Sequence, residues 1–276
     1  MNSTAKAIAR VSSAKKPTRG NRERFLSIAL FIVVIGTWEI GVRALHVSPL
    51  IVPTASATAM SLWSGILDGS LASNLGVTFY ETIAGFFIGS ILGLLLGGLI
   101  GQSALAERVV YPYVIAFQTV PKVAIAPLIV IWFGYGVSSK IVITATIAFF
   151  PVLANTIVGL RASPREQLDL IVAFTGSHWQ SFKHVKIPNA LPYIFVGLDV
   201  AVVLAVIGAI VGEFVGSQAG LGYLILQRNF SMDTAGVFAI LIVLSLTGIG
   251  LHAVVQFIKK RVVFWINHEG DSVSGA

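Results

Sequence analysis

Six long apolar stretches alternate with short polar ones along the 276-residue chain. They lie at about 25–45, 76–101, 112–133, 140–160, 189–215 and 234–258, each near the roughly 20 residues a helix needs to cross a hydrocarbon core. The first, "FLSIALFIVVIGTWEIGVRAL", would rise roughly 31 Å as a helix. A transmembrane β-barrel needs short alternating segments instead of continuous apolar runs. Between the first two stretches, Pro53 and Thr54 open a shorter amphipathic segment reaching Leu67. It is read as an interfacial helix on the outer leaflet rather than a seventh crossing. No period of 20–50 residues marks a repeat array. The pattern predicts an all-α integral membrane protein with about six transmembrane helices.

Composition agrees. The chain is 55% hydrophobic and 11% charged, against about 25% charged residues in soluble domains. Residues 1–24 form a basic, Ser-rich tail with seven lysines and arginines against Glu23 alone. The apolar run after it is too long for a signal-peptide core and lacks a small-residue cleavage site, so it is read as a retained span. With this tail inside, fifteen of the nineteen lysines and arginines fall on the cytoplasmic side, as the positive-inside rule asks. Arg43, Lys140 and Arg228 fall outside, and Lys122 lies within the third span. Both termini, including residues 266–276, are then cytoplasmic. The net charge of +7 thus reports membrane orientation and not nucleic acid.

Three features inside the spans carry packing or chemistry. Gly85, Gly89, Gly93, Gly97 and Gly101 recur every four residues, stacking on one helix face where another backbone can approach. The partner is a helix of the same subunit or a subunit–subunit seam. Glu39, Glu81, Lys122, Asp199 and Glu213 are ionisable groups within apolar runs, where a charge is costly and by default functional. Lys122, Glu81 and Glu213 are the candidates for a translocation pathway, with structural ion pairing to Lys122 or Arg43 as the alternative. Pro121, Pro127 and Pro151 are expected to break spans three and four and expose carbonyls to protein or water.

The loop from Ser163 to Val185 faces the cytoplasm in this arrangement. It reads as two short helices broken at Thr175–Gly176. Pro164 suits a helix start and acidic residues follow it early. In the second helix Trp179, Phe182 and Val185 recur every three residues among His178, Lys183 and Lys186, and Pro188 is expected to end it. Such a stripe either lies on inner-leaflet headgroups or docks into a groove of a partner protein.

The stretch "REQLDLIVAFTGSHWQSFKHVKIPNALPYIFVGLDVA" resembles the cytoplasmic EAA loop of permease subunits of ABC importers. In those proteins an acidic residue and two alanines precede a glycine, and an aliphatic–Pro pair closes the segment. "TVPKVAIAPLIVIWFGYGVSSKI", "FFPVLANTIVGLR" and "IVGEFVGSQAGLGYLI" extend the resemblance in the same order, across most of residues 76–265. They are similar to the nitrate/sulfonate/taurine branch. Aligning Ile187–Pro188 puts Asp169 at the acidic position, Leu170 and Ile171 where alanines are usual, and Thr175 at the glycine position, with Gly176 one residue late. The resemblance implies that Asp169, Thr175, Gly176, Trp179, Phe182, Val185 and Pro188 couple the chain to a separate ATPase. It further implies a homodimer, two cytoplasmic ABC ATPase subunits that bind ATP and Mg, a periplasmic substrate-binding protein, and an inner-membrane location.

The chain has no G-x-x-x-x-G-K-[ST] phosphate loop, no cysteine, and five scattered histidines without metal-ligand spacing. It is expected to bind no metal or cofactor itself and to be no enzyme. The reading is a permease subunit moving a small anionic solute such as a sulfonate or nitrate. An ion-gradient-driven secondary transporter, with the buried carboxylates as ion sites, is the alternative. A scaffold protein fits poorly with five ionisable groups inside the spans.

Overall fold

The computed structural model describes residues 21–265, so the tail expectations for residues 1–20 and 266–276 lie outside the described residues. Eleven helices follow in order: α1 Asn21–Ala44, α2 Ala55–Leu67, α3 Ser70–Gly101, α4 Ala104–Thr119, α5 Lys122–Phe133, α6 Val137–Arg161, α7 Arg165–Ala173, α8 His178–Ser181, α9 Ile187–Gly216, α10 Leu221–Phe230 and α11 Thr234–Val262. A π-helical turn, Phe182–Lys186, joins α8 to α9. Five helical runs are long and apolar enough to cross a membrane: α1, α3, α6, the joined α8–α9 rod and α11; the α4–α5 pair makes a sixth. The fold is an all-helical membrane bundle.

Helix α6 is its axis, held between α3 and α9 by glycines on both sides. A Cβ on Gly89 would stand 2.5 Å from the Ala145 carbonyl oxygen, and one on Gly93 2.9 Å from that of Phe149. Gly85 meets Thr144, and Gly97 meets Thr156 and the Leu153 carbonyl. The four-residue glycine face of α3 therefore packs on α6 within the subunit. Opposite, Gly197 lies against the Pro151 carbonyl and Gly208 against the Thr144 backbone. Close backbone approach of this kind replaces the hydrophobic drive that lipid cannot supply.

The prolines behave less uniformly than expected. Only Pro121 breaks its span, with α4 and α5 crossing at 89°. The steric demand of its ring holds Val120 extended at φ −64°, ψ 126°. Helix α6 runs unbroken through Pro151 and α5 through Pro127. Pro188 does not end the second loop helix either. Its missing N–H and its ring disturb the preceding turn, and the chain widens there to a π turn in which the Ile187 N–H reaches the Phe182 carbonyl. Helix α8, the π turn and α9 thus form one 39-residue rod, His178–Gly216.

Helix α1 lies at the edge. Trp38 Nε1 donates to the Pro53 carbonyl at 3.1 Å, and the Trp38 ring meets Phe238 of α11 at 5.9 Å between centroids. Glu39 accepts from the Ser56 N–H and hydroxyl at 3.0 and 2.9 Å and pairs with Arg43. Its carboxylate therefore secures the start of α2, which begins after its N-cap Thr54, as the sequence predicts.

Candidate functional site

The loop between α6 and α9 stands at one end of the bundle and builds a rigid apolar ridge. Helix α7 ends in a Schellman turn: the Gly176 N–H bonds the Ile171 carbonyl at 2.8 Å and the Thr175 N–H bonds that of Val172 at 2.9 Å. Thr175 takes the left-handed conformation, φ 54°, where glycine would be the easy choice. The glycine stands one residue later for a different reason. A Cβ at Gly176 would meet Ile171 Cγ2 at 2.5 Å. Ser177 and Gln180 then form a reciprocal capping box that starts α8. Asn189 Nδ2 ties the root of the ridge to Gln167 at 2.8 Å and to the Val185 carbonyl at 2.9 Å.

These constraints hold an apolar surface in the open. Phe174 is 78% exposed and Trp179 66%, with Leu170 and Val172 beside them. The three-residue stripe predicted for the second helix divides: Trp179 faces out, Phe182 stacks against it at 5.6 Å between ring centroids, and Val185 is buried in the bundle. Asp169 on α7, His178 on α8 and Lys183 on the π turn are exposed polar groups beside them. Sequence reasoning passed over Leu170, Val172 and Phe174. Their signal was an apolar run, "LIVAF", on a helix too short to span a membrane.

Besides Glu39 of α1, bound at the start of α2, the ionisable groups of the spans lie in three separate places. At the far end of α9, Glu213 accepts from the Thr78 hydroxyl at 2.6 Å and from the Gly222 N–H. Thr78 Oγ1 accepts from the Leu221 N–H and Asn74 Oδ1 from the Gly220 N–H, each at 2.7 Å. Three otherwise orphaned donors at the start of α10 are satisfied this way. Gly220, at φ 109°, also sits where any Cβ would strike the Glu213 carboxyl group. Glu81 lies beside Glu213, and both are only 1% exposed. These two expected pathway residues are therefore inside the subunit, not on an open surface.

Lys140, counted on the outer side by its charge, lies in the core, at 1% exposure. Its ammonium donates to the carbonyls of Tyr135, Gly136 and Gly216, using all three protons and placing a cation at the C-terminus of α9, where the helix dipole favours it. Asp199 is held between α9 and α11 by His252 Nδ1 at 2.6 Å and Gln256 Nε2 at 2.9 Å. Lys122 stands apart. It begins α5 at the 89° corner, its ammonium bonded to the Gln118 carbonyl and 4.7 Å from the Phe150 ring centroid.

Residues 85–264 match the family of binding-protein-dependent transport system inner membrane components. The chain belongs to this family. The permease is 33% identical over 240 residues to the riboflavin transport system permease protein RibX of Chloroflexus aurantiacus, covering 87% of this chain and 89% of that one. It is 32% identical over 257 residues to the putative aliphatic sulfonates transport permease protein SsuC of Bacillus subtilis, covering 93% of each. Among solved structures, its fold resembles a chain of the MetNI methionine ABC transporter in an inward-facing conformation, with TM-score 0.57 at 22% identity over 68% of this chain and 92% of that one. An amino acid ABC transporter aligns with TM-score 0.60 at 17% identity over 73% and 98%. The permease is thus a multi-pass membrane subunit of an ABC importer, a transport component rather than an enzyme.

Proposed function

We propose that this permease works as a homodimer in the bacterial inner membrane, with both termini in the cytoplasm, and passes a small anionic solute delivered by a periplasmic substrate-binding protein. Two ABC ATPase subunits, which carry the ATP and Mg, dock on the ridge of α7 and α8. The observation that carries this reading is the ridge itself: exposed aromatic and aliphatic side chains, held rigid by a Schellman turn and a capping box.

The fold suggests how force would travel. The ridge is continuous with α9 in a 39-residue rod that would extend roughly 58 Å. Near its far end stand Glu213 and the bound Lys140. A displacement at Trp179 is therefore delivered to the opposite side of the bundle instead of being absorbed by a flexible loop. The α4–α5 corner exposes Tyr113, Phe117, Ile131 and Trp132, an apolar face suited to the second copy, with Lys122 near its middle. The anionic solute class rests on that ammonium. A gradient-driven transporter has little to stand on, because Glu213 is engaged with the start of α10 and Glu81 is shut in beside it.

Trp179→Ala in the purified complex tests the docking surface. Truncating a central aromatic anchor costs at least ~2 kcal/mol, so ATPase affinity should fall about thirtyfold. Phe182→Ala should weaken binding by withdrawing the ring that positions Trp179. Lys183→Ala should act weakly and mainly at low salt. A Trp179→Ala permease that still retains stoichiometric ATPase with solute-stimulated hydrolysis overturns the assignment.

A further inference from the structure

Helices α9 and α11 leave a furrow along their outward side. One face of α9 presents Tyr193, Val196, Val200, Val203 and Ile207 at three- and four-residue spacing, each at least 40% exposed. Two cavities lie in line between this face and α11. One, about 420 Å³, has Tyr193 and Val196 as its floor and Lys259 and Lys260 at its rim. The other, about 410 Å³, is lined mainly by apolar side chains, Val203, Ile207 and Ile249 among them, with Ser245 and His252 as its polar members. Between them Asp199 accepts from Gln256 Nε2 at 2.9 Å, with His252 Nδ1 2.6 Å from its other carboxylate oxygen.

We propose that this furrow binds an anionic phospholipid, its phosphate at Lys259 and Lys260 and one acyl chain along α9 toward Ile207. Three observations favour it. The two lysines sit at the end of α11 that meets the headgroups and form no ion pair among the described residues. From Lys259 to Leu241, the farthest α11 residue on the second cavity, α11 rises roughly 27 Å, long enough to take one leaflet with its headgroups, half of a roughly 40–45 Å bilayer. Apart from the Asp199–His252–Gln256 cluster and Ser245, the walls beyond the lysines are apolar, as an acyl chain requires. Basic pockets between spans are a recurring way of holding anionic headgroups. A second copy's α1 laid in the furrow would fill the apolar part but leave both ammonium groups without an anion.

The delipidated complex should be titrated with phosphatidylglycerol, phosphatidylcholine or inorganic phosphate while bound lipid is counted by native mass spectrometry and the melting midpoint followed. At about 1 kcal/mol per basic residue, the two lysines should give phosphatidylglycerol about a thirtyfold preference. Lys259→Gln/Lys260→Gln should remove most of it, whereas Arg22→Gln/Arg24→Gln, which deletes the same charge elsewhere, should keep it. If the lysine variant fails to assemble, a photoactivatable acyl chain on phosphatidylglycerol decides the matter in the native complex. Labels within residues 193–207 and 241–260 support the site, and labels elsewhere overturn it. Equal response to both lipids, full stabilisation by inorganic phosphate, or a Val200→Cys crosslink to α1 of a second copy would each overturn it too.

Discussion

Thr175 carries the sharpest conflict between a side chain and its backbone. It turns the chain at the end of α7 in the left-handed region, φ 54°, which costs a residue with a Cβ roughly 1 kcal/mol or more and is least suited to a β-branched one. The turn persists because Gly176 behind it must lack a side chain and because two backbone bonds close the Schellman turn. Thr175→Gly should therefore tighten the ridge by about 1 kcal/mol, read as roughly fivefold slower hydrogen exchange at residues 175 and 176. Gly176→Ala should speed the same exchange, since its Cβ would be driven into Ile171. Equal protection in wild type and Thr175→Gly would mean that the strain is relieved elsewhere. The same logic explains Glu213: its ligands come from α3 and α10, so its value lies in ordering backbone, and its charge need never meet the solute.

At the scale of elements, the glycine face of α3 offers a built-in control. Gly89→Ala puts a methyl group 2.5 Å from the Ala145 carbonyl, whereas nothing lies within 4 Å of a Cβ at Gly98. The first should cost about 1–3 kcal/mol as overpacking and lower the melting midpoint in detergent. The second should be neutral or slightly stabilising through helix propensity. Matched losses would remove the α3–α6 contact as the reason for the spacing. Elements with local signals were legible in the sequence: the apolar spans, the Thr54 start of α2, and two loop helices parted at Thr175–Gly176. Elements fixed by distant partners were not. Helix α10 is too short to span, and its start is held by Asn74, Thr78 and Glu213, the first two more than 140 residues away in sequence. The burial of Lys140 was not legible because one of its carbonyl partners, Gly216, is 76 residues on. Pro151 looked like a breaker because nothing local says that α9 packs on its carbonyl through Gly197. The ridge lost a residue the other way: Val185 has the right period but faces α6 and the bundle.

For the whole molecule, orientation and pathway are linked, because a ridge proposed to dock an ATPase has to stand at the end opposite to where solute arrives. The basic-residue distribution is the ground for proposing that both tails share the cytoplasmic side with the ridge. Cysteines introduced at Ser12 and Ser272 should resist an impermeant thiol reagent in intact cells, and one at Met232, exposed at the other end, should react. Labelling of either tail in sealed cells inverts the arrangement. Lys122 then bears on the pathway. It does not lie in the middle of a straight span but at the 89° corner of α4 and α5, on the corner proposed to meet the second copy. Its position at the start of α5 is electrostatically poor, since a helix N-terminus repels a cation, and the Gln118 carbonyl and Phe150 ring only partly offset this. Removing the charge should therefore leave the fold unharmed or slightly firmer. If the ammonium serves an anion in transit, Lys122→Met should lower solute uptake by tenfold or more while ATPase retention and basal hydrolysis stay near wild type. Lys122→Arg, which keeps the charge, should recover a substantial part. Uptake by Lys122→Met at the wild-type rate would restrict the lysine to its contacts with Gln118 and Phe150, and the anionic solute class would lose its support.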